Sequence, residues 1–274
     1  MVFDRAGFTA ALQSEEKSAV TVEKYLRDVS AFASFAGERE PDKELTHAWK
    51  EQLIARGFSV RSVNSMLAGL NAYYKYIGRE DCRVRSLKLQ RRIYTPPDRE
   101  LTRAEYERLL DAARSRPRLN MLLQTICATG IRVSELRYFT VEAVEAGEVR
   151  VSCKNKSRVI LIPGKLKKKL LTYSRAAHIR RGVIFRTRSG RPLDRSNIWA
   201  EMKSLCAEAK VEAAKVFPHN LRRLFARCFY KLDRDIAKLA DVLGHSSIDT
   251  TRIYIMTSGR EHRRMLERMC LLRE

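Results

Sequence analysis

Between Arg91 and Arg99 the chain reads RRIYTPPDR, and the Pro96-Pro97 pair inside it limits the fold more than any other feature. Consecutive prolines lack backbone donors and push the preceding residue into extended geometry, so no helix or central strand runs through them. The segments on either side must fold separately. Upstream, Val22, Tyr25, Leu26, Val29, Phe32, Ala33 and Ala36 recur at helical spacing and stop at Gly37. Thr46 reads as the cap of a second helix through Trp49, Leu53 and Ile54, ended by Gly57. Ser59 opens a third through Val60, Val63, Leu67, Leu70, Tyr74 and Ile77, closed by Gly78, and a short helix near Phe8 to Gln13 completes a bundle. The expected organisation is a helical domain over 1–90, a basic linker over 91–100 and a second domain over 101–274.

The second domain starts at a capping box, Thr102-x-x-Glu105. Pro117 to Ala128 reads as a helix with proline in its first turn, ending before Thr129-Gly130. Glu148–Cys153 and Arg158–Ile162 are short β-rich runs around Lys154-Asn155-Lys156-Ser157, a predicted hairpin, and Val183 to Phe185 is a candidate third strand. Helices are expected at 195–210, 220–231, 235–243 and 249–255, with a last one from Ser258-x-x-Glu261 to Leu272. The fold class is mainly α with a small β-sheet.

Charge narrows the partner. Fifty-four Lys and Arg against 32 Asp and Glu give +22, far more than solubility requires. Residues 1–95 hold 16 basic and 12 acidic residues, so the remainder carries +18 of that total. Such an excess suits a polyanion, because each phosphate contacted releases condensed counterions. The six cysteines are scattered without a CxxC pair and the five histidines are widely spaced, which points to a reducing compartment and no metal site. No run approaches the roughly 18 apolar residues of a membrane span, and the first residues do not read as a secretory signal. A cytoplasmic protein without cofactor, metal or membrane partner is expected.

Four local patterns carry candidate chemistry. His219-x-x-Arg222 places an imidazole and a guanidinium on one helix face, where both can bond one phosphate; a solvated helix face explains the same spacing. In TGIRVSEL, Arg132 follows a glycine at a helix start with Glu135 one turn on, which reads equally as an anion site or a surface salt bridge. Lys154, with Lys156 as local competitor, is a general-acid candidate or a solvated turn residue. In LGHSSIDTTRIYI, His245 follows a helix-ending glycine and Tyr254 is a nucleophile candidate or a core aromatic.

Taken in order, Arg132, Lys154, His219, Arg222, His245 and Tyr254 with their surrounding words resemble the tyrosine recombinase/integrase family, and the resemblance covers most of the chain. It implies a SAM-like core-binding domain at the N-terminus and a mixed α/β catalytic domain after it. Tyr254 would attack a DNA phosphate to form a 3′-phosphotyrosyl link, with Arg132 and Arg222 clamping the non-bridging oxygens. Lys154 would protonate the 5′-oxygen, His219 assist the tyrosine proton and His245 bond the phosphate, with Glu135 supporting from behind. The hairpin is one residue shorter than the family's common GKGNK form.

The family's transesterification needs neither ATP nor metal, and the chain has no P-loop or acidic cluster. Arg91, Arg92, Lys156, Arg158 and Arg223 are DNA-contact candidates, as are Lys165, Lys167, Lys168, Lys169, Arg188, Arg191 and Arg195. By resemblance the two domains would clamp double-stranded DNA. The apolar helix at 258–272 would join a tetramer on two DNA sites, accessory proteins would be compatible, and the source would be a bacterial nucleoid or mobile element. A type IB topoisomerase and a non-catalytic regulator derived from an integrase are the competing readings.

Overall fold

Side-chain oxygens at the helix starts set out the first part of the structure. Asp4 caps α1 (Arg5–Ser14), Ser18 caps α2 (Ala19–Ala36), Asp42 caps α3 (Lys43–Ala55) and Ser59 caps α4 (Val60–Tyr76), each accepting a backbone N–H of the first turn. The structure is a computed structural model that describes residues 3–88, 100–153, 156–256 and 259–269, with the backbone alone for 153, 156, 259–262 and 265. It divides into two units, Met1–Arg91 and Arg92–Glu274. The linker residues Arg91 and Arg92 lie outside the described residues.

In the first unit Phe32, Trp49, Leu67, Leu70 and Tyr74 form one core cluster, and Phe8, Leu12, Leu26 and Tyr73 form another. Here the expected role of Thr46 is corrected. Asp42, four residues earlier, is the cap, and Thr46 lies inside α3, fully buried, donating to the Asp42 carbonyl at 2.8 Å. Its hydroxyl also meets the buried Tyr74 hydroxyl at 2.6 Å. Aspartate and threonine are both good caps, and the tertiary partner decided between them.

The second unit opens with α5 (Arg103–Ala112) behind the Thr102–Glu105 capping box, then α6 (Pro117–Thr129) with proline in its first turn. A 3₁₀ turn at Val133–Tyr138 and α7 (Val141–Ala146) lead into β1 (Glu148–Cys153) and β2 (Lys156–Leu161). The strands pair antiparallel from Glu148↔Leu161 to Cys153↔Lys156. Val149, Val151 and Ile160 are buried while Val159 and Leu161 are exposed, so one face of the ribbon looks inward. After α8 (Gly164–Ala176) the candidate strand at Val183–Phe185 reduces to an isolated bridge, Thr140↔Val183, although Ile184 and Phe185 are buried as a strand residue would be.

Five helices close the unit: α9 (Arg195–Lys203), α10 (Pro218–Asp233), α11 (Ile236–Leu243), α12 (Ile248–Ile255) and α13 (Gly259–Arg268). α9 stops seven residues before the expected Lys210, and turns follow it as Leu205, Ala209 and Val211 fold into the core. The main core gathers Leu122, Leu123, Ile126, Phe139, Val149, Phe185, Ile198 and Leu221. A smaller cluster of Ala226, Leu239, Leu243 and Tyr254 joins α10, α11 and α12.

Thr46→Val keeps the shape of the side chain and deprives the buried Tyr74 hydroxyl of its partner. The variant is expected to lose about 1–3 kcal/mol of unfolding free energy in urea titration.

Candidate active site

The site is assembled at the end of α11. Gly244 takes a left-handed φ of +64°, its N–H bonds the Asp241 carbonyl and the His245 N–H bonds the Ala240 carbonyl, both at 2.9 Å. This closure leaves the carbonyls of Val242, Leu243 and Gly244 without helical partners. Each receives an arginine: Arg158 reaches Val242 O at 2.5 Å, Arg222 reaches Leu243 O at 2.7 Å and Arg132 reaches Gly244 O at 3.2 Å. The negative end of a helix favours cations, so the three guanidinium groups lie where the backbone field draws them.

Arg222 is the most enclosed of the three, with 1% of its surface exposed. It bonds Gly130 O, at the end of α6, at 2.5 Å, and His245 Nε2 at 2.9 Å. Gly130 is left-handed at φ +63°, and a side chain there would run into the Phe225 ring at 2.3 Å. A guanidinium only donates, so His245 Nε2 must accept; the proton is then on Nδ1, which donates to the buried Thr251 hydroxyl at 2.8 Å. Burial chiefly, then the charge of Arg132, pushes Arg222 down to about 10, against a pull upward from Tyr254 and Glu135.

Tyr254 packs between the two imidazoles. Its ring centre is 5.0 Å from that of His219 and 5.1 Å from that of His245, and Arg222 Cζ stands 5.8 Å from it. Both histidines are pushed down to about 4. For His219 the loss of water comes first, followed by Arg223, Arg222, Arg195 and Arg132. For His245 burial again leads, ahead of Arg222, Arg132 and Arg158. Both rings are therefore neutral at pH 7.

Glu135 supplies the buried carboxylate of the group. One oxygen accepts the Arg132 backbone N–H at 2.7 Å and Arg158 Nη2 at 2.6 Å, and the other accepts Arg132 Nη1 at 3.1 Å. Arg132, Glu135, His219, Arg222, His245 and Tyr254 thus converge, from segments far apart in sequence. Lys154 lies outside the described residues, and of Lys156 only the backbone is described. Arg158, taken from sequence as a DNA contact, faces inward and is bonded to Glu135 and Val242. Arg223 is half-buried beside His219, with its Nε enclosed and unbonded. Lys167 and Lys169 bond Glu145 O and Gln124, while Arg188, Arg191 and Arg195 are exposed.

Sequence reading missed Thr251 and the carbonyls of α11. Thr251 precedes Tyr254 by three residues, a spacing that puts both on one helix face and so toward the same site. Among the described residues no group of His, Cys, Asp and Glu is placed to hold a metal, and no helix is long and apolar enough to cross a membrane.

Histidines held neutral by the fold take up protons on unfolding. Between about pH 6.5 and 4 the unfolded chain binds protons that the native one refuses, so stability falls as pH is lowered through that window. Urea midpoints measured from pH 7 to pH 4 are expected to drop, and His219→Gln with His245→Gln to shrink the drop.

Comparison with known proteins gives one consistent result. The profile of the phage integrase family matches residues 99–260, and that of the phage integrase N-terminal SAM-like domain matches residues 6–81. The tyrosine recombinase XerA of Pyrococcus furiosus is 30% identical over 277 residues, covering 97% of this chain and 93% of its own. A XerH site-specific recombinase bound to its difH substrate aligns with a TM-score of 0.68 at 18% identity, over 100% of this chain and 86% of that one. A lambda integrase dimer bound to a COC′ core site aligns with a TM-score of 0.74 at 18% identity, over 94% and 79%.

Proposed function

The chain belongs to the phage integrase family and is a site-specific tyrosine recombinase, and from that premise we propose that Tyr254 is its nucleophile and that Arg132, Arg222, His219 and His245 serve the phosphate it attacks. The observation that carries the assignment is the enclosure of Tyr254 by two neutral imidazoles and a guanidinium. A phenol has an unperturbed pKa near 10, so at neutral pH it needs a base and cationic neighbours to attack.

In the proposed step the Tyr254 oxygen forms a bond to a DNA backbone phosphorus while the bond from phosphorus to the 5′-oxygen breaks. The product is a 3′-phosphotyrosyl link and a 5′-hydroxyl. His219, neutral and in contact with the ring, takes the phenolic proton. Lys154 supplies the proton that the leaving 5′-oxygen takes up. Arg132 and Arg222 face the non-bridging oxygens as charge builds there. In this arrangement His245 acts on the phosphate through Arg222, whose direction its Nε2 fixes. One phosphoester replaces another, so rejoining needs no ATP, and the attack calls for no metal-bound water.

Double-stranded DNA is the substrate, held by the basic second unit. Arg188, Arg191 and Arg195 are open for phosphate, and Arg91, Arg92, Lys156 and Arg223 complete the proposed contacts. Leu266 on α13 and Met269 just after it are more than half exposed, which supports docking of this segment on a neighbouring protomer in a tetramer on two DNA sites. A nucleoid location, with accessory proteins where the site demands them, follows from that substrate.

The nucleophile is tested by covalent trapping in EDTA on duplexes from the DNA flanking the gene, each carrying a 5′-bridging phosphorothiolate. An SDS-resistant protein–DNA adduct is expected from the wild-type chain and none from Tyr254→Phe. Tight binding without an adduct overturns the assignment. Deleting residues 259–274 is expected to weaken pairing of two DNA sites more than binding of one in gel-shift titrations, and equal losses overturn the docking role.

A further inference from the structure

β2 carries an arginine where its pattern calls for an apolar residue. Arg158 pairs opposite the buried Val151, two residues before the buried Ile160, and so lies on the inward face of the ribbon. Its side chain is only 15% exposed. The long side chain runs beneath Gly244, where an added Cβ would stand 2.5 Å from Arg158 Cδ and 2.9 Å from its Nε. The guanidinium then divides between Glu135 at 2.6 Å and Val242 O at 2.5 Å, and its Nε–H stays buried and unbonded. A surface DNA contact would not be built this way. Leaving a donor unmet and excluding a side chain at Gly244 both cost stability.

The charges explain what the arrangement achieves. Glu135 is buried, and it lies between two guanidinium groups, one on each oxygen. With both present the three groups sum to +1. With Arg158 gone, Glu135 and Arg132 would sum to zero, and the carboxylate would compete with a phosphate for Arg132. Glu135 is buried while the Arg132 side chain is 45% exposed, so solvent tempers that competition without removing it.

We propose that Arg158 is a positioning residue for strand cleavage: it compensates Glu135 so that Arg132 keeps its charge for the DNA phosphate. The inference rests on Arg132 serving the phosphate as proposed above. Arg158 contacts no DNA in this role and acts through Glu135 and the end of α11.

The test uses full-length protein and a duplex that the wild-type chain selects from a random-sequence pool. The duplex is made with either an ordinary phosphate or a methylphosphonate at the cleavage position, both with a 5′-bridging sulfur. Arg158→Ala is expected to slow adduct formation on the phosphate by roughly 10- to 100-fold, below the 10²–10³ that outright deletion of an oxyanion donor costs. On the uncharged methylphosphonate the deficit should shrink to a few-fold, since less charge develops for Arg132 to stabilise. Arg158→Lys should fall between, and Arg158→Ala with Glu135→Gln should recover about tenfold over Arg158→Ala, because the second change removes the uncompensated charge.

Equal deficits on both substrates, or no recovery in the double variant, overturn the proposal and leave Arg158 a packing residue. A binding salt slope lowered by about 1 in Arg158→Ala overturns it in favour of a phosphate contact. If the wild-type chain forms no adduct on a duplex it binds, the recombinase site assignment fails and takes this inference with it. If wild type reacts and Arg158→Ala reacts as fast, this inference alone fails.

Discussion

A helix that ends inside a protein leaves carbonyls that must find donors, and the catalytic unit of this chain is arranged around that requirement. The Gly244 closure satisfies Ala240 and Asp241 and presents three consecutive carbonyls, on Val242, Leu243 and Gly244. Arginines from β2, from α10 and from the turn after α6 answer them in order. Segments distant in sequence are fastened at one point by backbone acceptors, whose positions depend on the fold rather than on side-chain rotamers. Arg222 extends the fastening to Gly130, so the ends of α6 and α11 share one guanidinium.

The same clustering sets the electrostatics. Four arginines near His219 and three near His245 oppose any further positive charge, and burial adds to the effect. The imidazoles stay neutral because arginine does not yield its proton. Glu135 is the one acid in direct contact with these arginines among the described residues, and it touches two of them rather than a histidine. An acid paired with either imidazole would have raised its pKa.

Much of this was legible in the chain, for reasons that differ by residue. The capping oxygens of Ser59 and Thr102 and the helix-ending glycines act locally, so their readings needed no tertiary knowledge. The grouping of Arg132, His219, Arg222, His245 and Tyr254 came from words resembling a family rather than from spacing. Where partners lie far off in sequence the reading failed. Thr46 is a good cap by type, but Tyr74 drew it into the helix interior. Arg158 looked like surface charge beside two lysines, yet the alternation Arg158, Ile160 against Val159, Leu161 already marked it as inward. Thr251 has no signature without knowing where His245 points. Backbone carbonyls have no signature at all, since every residue carries one.

Arg222 also bears on how fast the site can respond. In water, solvent dipoles must turn toward a phosphate as charge accumulates on its oxygens, and that turning is a large part of the barrier. Here the guanidinium is locked by two peptide carbonyls and an imidazole whose own tautomer is set by Thr251. Two of its partners are backbone carbonyls, whose directions the fold sets. The orienting was completed when the polypeptide folded, so the reorganisation energy of the chemical step is carried by the folding equilibrium instead.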